Sequence, residues 1–484
     1  MLTQERDQEW RVSLRNSIKA KERSSILRVK MPERDPQVRS TNNEEVNLGL
    51  TEAQAMQEAK RCLDCAKPTC MDGCPVGIKI PTFIKYIETG DFLSAAKTLK
   101  ETSALPAVCG RVCPQEKQCE AKCIHIKMKG EAVAIGHLER FAADYERESG
   151  QISVPEIAPA NGMKVASVGS GPAGLSFAGD MAKLGYDVTV FEALHEIGGV
   201  LKYGIPVFRL PNEIVDVEID NLRQMGVKFE KNCIVGKTIS VDELKADGFK
   251  GLFVASGAGL PRFMNIQGEN LAGVMSSNEY LTRVNLMDAA SVDSDTPVFI
   301  GKKVAVIGGG NTAMDSVRTA RRLGAERAMI VYRRSEEEMP ARLEEVHHAK
   351  EEGIDFMTLR NPIEYRGDEK GRVTHMLLQV MELGEPDASG RRSPQEVPGK
   401  TELIEVDEVI VSVGVSPNPL IPQSVKGLDV SKWGTIVVNE ESMQSTIPMI
   451  FAGGDIVRGG ATVILAMGDG RRAAKSMDEW LKKQ

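Results

Sequence analysis

"KVASVGSGPAGLSFAGDMAKLGYDVTVFE", residues 164–192, reads as a strand, a glycine turn, a helix and a second strand. Gly169-Ser170-Gly171-Pro172-Ala173-Gly174 carries the full G-x-G-x-x-G spacing. In such a turn the first glycine permits the tight bend and the second lets the backbone approach a pyrophosphate. The third lets the helix pack closely on the strand, and the helix N-terminus faces the negative charge. Glu192 ends the second strand, 23 residues beyond Gly169. A carboxylate there accepts hydrogen bonds from ribose hydroxyls and favours an adenosine ribose without a 2′-phosphate.

The same opening recurs 139 residues later, where "KVAVIG" (303–308) leads into Gly308-Gly309-Gly310-Asn311-Thr312-Ala313. Alanine replaces the third glycine, which the pattern allows. Its second strand, "AMIVYRR", ends on Arg333 and Arg334 where the first unit has Glu192. Guanidinium groups pair with a 2′-phosphate through forked, charge-assisted hydrogen bonds. The second site is thus expected to take NADPH in preference to NADH, with Gly308, Gly310, Asn311 and Thr312 around its pyrophosphate, and the first a nucleotide whose adenosine ribose lacks a 2′-phosphate. Two such units so far apart indicate two nucleotide-binding domains rather than a repeat array.

Near the C-terminus, "IFAGGDIVRGGATVILAMGDGRRAA" (450–474) places Gly454 and Asp455 at a strand end and Ala461 and Thr462 before a helix. This resembles the second flavin motif of flavoproteins with two dinucleotide-binding domains, in which the aspartate holds the ribityl–phosphate region. "LFVASGAG" (252–259) resembles the strand and turn between the two sites of that superfamily, and "GGVLKYGIPVFRLP" (198–211), with Gly199 and Leu201, is expected to line the flavin. The resemblance implies an FAD domain over 162–300 and 414–484 with an NADPH domain, 301–413, inserted. The fold expected is α/β, with two Rossmann-like, glutathione-reductase-like domains preceded by an α-helical iron–sulfur domain at 1–155.

That last expectation comes from the cysteines. Eight of nine lie in "CLDCAKPTCMDGC" (62–74) and "CGRVCPQEKQCEAKC" (109–123), and only Cys233 stands elsewhere. Disulfides, zinc and iron–sulfur clusters all use such groups. No signal peptide is legible in "MLTQERDQEW" and no apolar run approaches eighteen residues, so a cytoplasmic location without a membrane span is expected, where structural disulfides are rare. Zinc prefers paired C-x2-C units, and only Cys62/Cys65 forms one. A flavin without a C-x-x-C partner near either nucleotide site needs another electron outlet, and a cysteine followed by proline is typical of two-cluster ferredoxins. Iron–sulfur is therefore favoured.

The remaining features are ordinary. A net charge of −7 argues against nucleic acid as the main partner. Residues 1–50 are polar and read as a solvated, partly helical arm. Thr51 and Gln54 form a capping box for a helix delivering Cys62, and "ESGQISVPEIAPANG" (148–162) is a linker.

"LPAVCGRVCPQEKQCEAKC", "AIGHLERF", "GSGPAGL", "KYGIPVFRLP", "GGGNTAMD", "VYRRSEEEMPA" and "FAGGD" together resemble the small (β) chain of NADPH-dependent glutamate synthase and its relatives, over nearly the whole chain from about residue 30. The resemblance implies one [4Fe–4S] cluster on Cys62, Cys65, Cys70 and Cys123. It implies a second on Cys74, Cys113, Cys119 and the side-chain oxygen of Glu139, leaving Cys109 a structural thiol. It further implies NADPH oxidation feeding a large chain that makes glutamate from glutamine and 2-oxoglutarate, in a hetero-oligomer and with no catalytic acid, base or nucleophile. The alternative is the flavin subunit of an electron-bifurcating NADH-dependent ferredoxin:NADP oxidoreductase or sulfide dehydrogenase, partnered by a ferredoxin- or NAD-linked flavoprotein subunit. "PTCMDGCPVGIKIPTFI" resembles that branch more closely.

Overall fold

The protein is described by a computed structural model covering residues 5–291 and 293–484. The first four residues of the polar arm, and position 292, lie outside the described residues.

Two parallel five-stranded sheets form the centre of the molecule. The first runs Ile450–Ala452, Phe249–Val254, Lys164–Val168, Asp187–Phe191, Lys228–Glu230. Its strands are nearly continuous apolar runs because helices cover both faces, as parallel sheets require. The helix Pro172–Lys183 packs along the C-terminal helix Val463–Leu481. Gly470 is the contact, since a Cβ there would lie 2.3 Å from the Ala173 carbonyl oxygen.

The second sheet runs Val274–Ser276, Glu408–Val411, Lys303–Ile307, Arg327–Tyr332, Asp355–Thr358. Its edge strand, Val274–Ser276, precedes position 301, so the second unit takes up chain some 25 residues before the boundary expected from sequence. A three-stranded antiparallel sheet, Arg360–Gly367, Val373–Pro386 and Arg392–Glu405, fills the connection back to Glu408. The outgoing and returning chains pair as short antiparallel strands, Leu260–Pro261 with Val415–Ser416.

Residues 52–149 are helical, with short 3-10 turns at the cysteines. Thr51 accepts from the Gln54 amide and Gln54 reaches back, so the capping box forms and the helix Glu52–Lys60 ends two residues before Cys62. Residues 150–161 carry no regular structure and link this region to the first sheet.

The arm does not behave as a solvated segment. Arg11, Arg23 and Arg39 are buried, paired with Asp64, with Glu88 and with Glu351 and Glu352 respectively. These arginines look like surface charge in sequence because their partners lie 53, 65 and 313 residues away. Arg39 and Arg342 also sit on the carboxylates of a Glu33–Glu344–His348 group. Their charge makes that group an ion-pair lock between arm and second sheet rather than a place for a cation. No helix among the described residues is long and apolar enough to cross a membrane.

Candidate functional site

Between the two parallel sheets lies a cavity of about 1540 Å³, with both glycine turns in its wall. The turns are built alike. Gly169 (φ +103) and Gly308 (φ +143) sit in the region that favours glycine. A Cβ at either would lie 2.4 or 2.3 Å from a carbonyl oxygen, of Ala255 or Ser412. A Cβ at Gly171 or Gly310 would meet nothing within 4 Å, so each second glycine opens toward the cavity as a cradle. Helices begin immediately after, at Pro172 and Asn311, aiming unpaired amides at whatever fills the space.

Pro172, Ala173, Glu192, Gly199, Thr312, Gly454, Asp455, Ala461 and Thr462 also border the cavity. Glu192 is buried, and its carboxylate accepts from the Ser170 amide (3.0 Å), the Ser170 hydroxyl (2.5 Å) and the Leu194 amide (2.8 Å). It therefore holds the first turn in shape and keeps acceptor capacity beside the cavity. Asp455 accepts from the Ala461 amide at 3.0 Å, and burial pushes its carboxyl up to about 6. Two expected residues do not reach the wall. Gly174 packs against the Gly169 carbonyl, and the Leu201 side chain is wholly buried in the core, so it supports the loop instead of facing a ligand.

The two arginines divide their work. Arg334 is buried, donating Nε to the Arg392 carbonyl (2.8 Å) and Nη2 to Asp387 (2.7 Å), both in the long antiparallel hairpin. Arg333 is exposed, borders the cavity and makes no ion pair among the described residues. Arg334 borders the cavity as well, but only the Arg333 guanidinium is wholly uncommitted among the described residues. Arg391, at the hairpin tip, also borders the cavity and was not legible as a site residue. Asp469, fully buried, was also missed. It accepts from the Gly454 amide (3.0 Å) and from Arg458 (2.6 and 2.7 Å), fixing the turn before Asp455.

Two further wall residues connect the cavity to the cysteines: Val112 and Pro114, on either side of Cys113. All nine cysteines are free. Burial pushes the Cys70 thiol up, and the charges of Cys62, Cys123 and Cys65 push it further. Cys62 is raised to about 11 by burial against the pull of Lys85, and Cys65 is raised by burial and by Cys123. Cys62, Cys65, Cys70 and Cys123 are therefore one electrostatic neighbourhood. Cys74, raised to about 11 by burial, senses Glu139, and so does Cys119, raised by burial, by Glu120 and by Glu139. A hydrogen bond with Cys109 pulls the Cys113 thiol down, but burial and the charges of Glu139, Cys119 and Cys74 raise it on balance. Glu139 itself is buried, its Oε1 has no hydrogen-bond partner, and burial with the Glu218 charge lifts it to about 8.

A buried, unpartnered carboxylate oxygen beside three thiols is costly in an apo protein and is relieved by a cation. The residues present fit an iron–sulfur group, since iron draws the protons from thiols that burial otherwise keeps neutral. Cys109 lies beside this second group, its thiol tied to Cys113 and sensing Glu139, its charge felt by Cys74, and its Sγ 3.5 Å from the Met467 sulfur.

A repeated parallel sheet with open glycine cradles on a shared cavity, and a helical cysteine module in its wall, defines a pyridine-nucleotide-linked flavoprotein oxidoreductase with an iron–sulfur extension. The pyridine nucleotide-disulphide oxidoreductase family matches residues 163–470, and dihydropyrimidine dehydrogenase domain II, 4Fe–4S cluster, matches residues 39–151. The glutamate synthase [NADPH] small chain of Escherichia coli (strain K12) is 35% identical over 94% of this chain and 98% of its own length. The NADP(+)-dependent formate dehydrogenase subunit beta of Moorella thermoacetica is 38% identical over 86% of this chain, but only 60% of its own. Among solved structures, Mycobacterium tuberculosis FprA in complex with NADPH shares the fold at TM-score 0.56 and 20% identity, over 67% of this chain and 85% of that one.

The chain belongs to the glutamate synthase small-chain family. It is an NAD(P)-dependent FAD and iron–sulfur oxidoreductase.

Proposed function

We propose that this chain is the NADPH-oxidising small chain of a glutamate synthase, with two [4Fe–4S] clusters. The observation that carries the reading is the shared cavity: both glycine cradles and the residues flanking Cys113 form one wall. FAD, when bound, accepts a hydride from NADPH and yields electrons singly, which iron–sulfur clusters carry. The residues of this chain bind, orient and exclude water. Gly310, Asn311 and Thr312 seat the NADPH pyrophosphate and Arg333 its 2′-phosphate. Gly171, Glu192, Gly199 and Asp455 hold FAD. Cys74, Cys113, Cys119 and Glu139 hold the cluster beside the cavity, and Cys62, Cys65, Cys70 and Cys123 hold the one nearer the surface. No side chain is assigned a proton to move.

The match over 98% of the length of a glutamate synthase small chain supports this partner, with the glutamate-forming sites on a large chain. The slightly higher identity to a formate dehydrogenase subunit keeps a second reading, a flavin subunit feeding another acceptor, such as a ferredoxin:NADP oxidoreductase. Mixing the holo-chain with a glutamate synthase large chain, NADPH, glutamine and 2-oxoglutarate separates them. The reading predicts one NADP⁺ formed for every two glutamates, and NADPH oxidation without glutamate would favour the second reading.

A further inference from the structure

Arg61, the residue before Cys62, is buried and draws three segments together. Its guanidinium donates to the carbonyls of Ile26 (3.0 Å), Glu131 (2.7 Å) and Ala132 (2.7 Å), and its own carbonyl meets His125 Nε2 at 3.0 Å. The neighbours of Ile26 and His125 are turned outward: Leu27 is 81% exposed, Ile126 47% and Met128 51%. Leu27 belongs to the arm, and the other two lie three and five residues beyond Cys123.

Lysines rim these apolar side chains. Lys122, Lys127 and Lys129 are exposed along the same short stretch of chain, and the Thr69 hydroxyl donates to the Lys122 carbonyl (2.6 Å), bringing exposed Lys67 to the same edge. None of the four makes an ion pair among the described residues, although most charges nearby do. Arg11 and Arg15 hold Asp64, Arg61 holds Glu58, and Arg28 holds Glu120. Asp72 and Glu131 are the exposed acids interspersed, so positive charge remains in excess on a chain whose net charge is −7. Apolar side chains inside a charged rim are the anatomy of a transient protein interface, and unpaired rim charges act mainly on partner choice and encounter rate.

We infer that this face, formed by Leu27, Ile126 and Met128 within the rim of Lys67, Lys122, Lys127 and Lys129, docks an acidic electron-accepting protein. The inference rests on the reading of Cys62, Cys65, Cys70 and Cys123 as the outer cluster site. Those cysteines adjoin the face, and three of the four are partly exposed, whereas in the other set only Cys74 is, Cys113 and Cys119 being buried. Each partner molecule takes one electron, so one NADPH reduces two of them and releases NADP⁺ and one proton.

The test uses two haem proteins of opposite charge on the holo-chain: acidic cytochrome b5 and basic cytochrome c. Binding is measured without NADPH at low and high salt. NADPH-driven reduction of each is then compared with that of menadione, an uncharged quinone. The parent chain is expected to bind and reduce cytochrome b5 preferentially, with affinity falling steeply as salt rises. Lys127→Glu/Lys129→Glu is expected to weaken cytochrome b5 binding and reduction about tenfold and to shift preference to cytochrome c, leaving menadione reduction unchanged. Leu27→Asp is expected to weaken binding at both salt levels. Equal binding of cytochrome b5 by parent and charge-reversed chains, or a parent preference for cytochrome c, overturns the inference. Failure to reduce menadione overturns the NADPH reading instead, while the binding result still decides the docking face.

Discussion

Glu139 carries more of the account than any other single side chain. A carboxyl that is buried, lifted to about 8 and left with an unpartnered oxygen makes no hydrogen bond or ion pair among the described residues. We therefore assign it as the ligand completing the set of Cys74, Cys113 and Cys119. Glu139→Ala is expected to abolish or shift one cluster signal in EPR and to leave the other intact, with the chain still folded by circular dichroism. Two unchanged signals would remove Glu139 from the site. Arg333 and Arg334 make a second pair of expectations. Arg333→Ala is expected to lower kcat/KM for NADPH roughly thirtyfold, the loss of about 2 kcal/mol for a charge-assisted bond, and to leave NADH nearly unaffected. Equal losses with the two nucleotides would contradict the assignment. At this scale the sequence is most readable where a motif sets the spacing, as for Glu192 and Asp455. It is least readable where a side chain answers a distant partner: nothing near Arg334 announces that Asp387, 53 residues on, occupies its guanidinium.

The arm and the helices of the second sheet show what local pattern omits. Arg318 and Arg322, on the helix Asn311–Arg322 that begins at the second cradle, hold Glu352, which also receives Arg39 from the arm. Burial raises the carboxyl of Glu352, but the hydrogen bonds from Arg318 and Arg322 outweigh it and hold the group down to about 2. A folded value below the unfolded one means the stabilisation is fully present above the ordinary glutamate range. It is lost as pH falls from about 4.5 toward 2, and the shift corresponds to about 3 kcal/mol. Glu352→Gln is expected to lower the unfolding midpoint at pH 7 and to converge with the parent as pH drops through that window. A constant difference across the window would show that Glu352 is not held charged by its partners. By contrast, the helix Glu52–Lys60 and the two strand–turn–helix units follow directly from capping residues and glycine spacing, because both act within a few positions of the chain.

Across the whole molecule, the first sheet takes strands from both sides of the second sheet's chain, and each part carries a recognisable turn, at Gly169 and at Gly454. The point where the second unit begins was not legible in the sequence. Val274–Ser276 is three residues long, and only its pairing with Glu408–Val411 places it in the second sheet. Nor does sequence reveal that Val112 and Pro114 border the cavity, since that depends on how the helix Pro106–Val112 meets the nucleotide-binding units. The helix Val463–Leu481 is part of the answer. Gly468 lies against Pro75, where an added Cβ would come within 3.0 Å, so the helix that starts at the flavin-side turn rests on the chain after Cys74. The thiols and the cradles thereby share one structural frame.

On the assignment proposed above, seven of the eight clustered thiols and one carboxylate serve iron–sulfur clusters in the same polypeptide that holds FAD and oxidises NADPH. Iron, zinc and acid-labile sulfide, determined together on anaerobically purified chain, test it most directly. Iron and sulfide are expected in equal amounts, with zinc negligible. Stoichiometric zinc without sulfide would contradict the assignment.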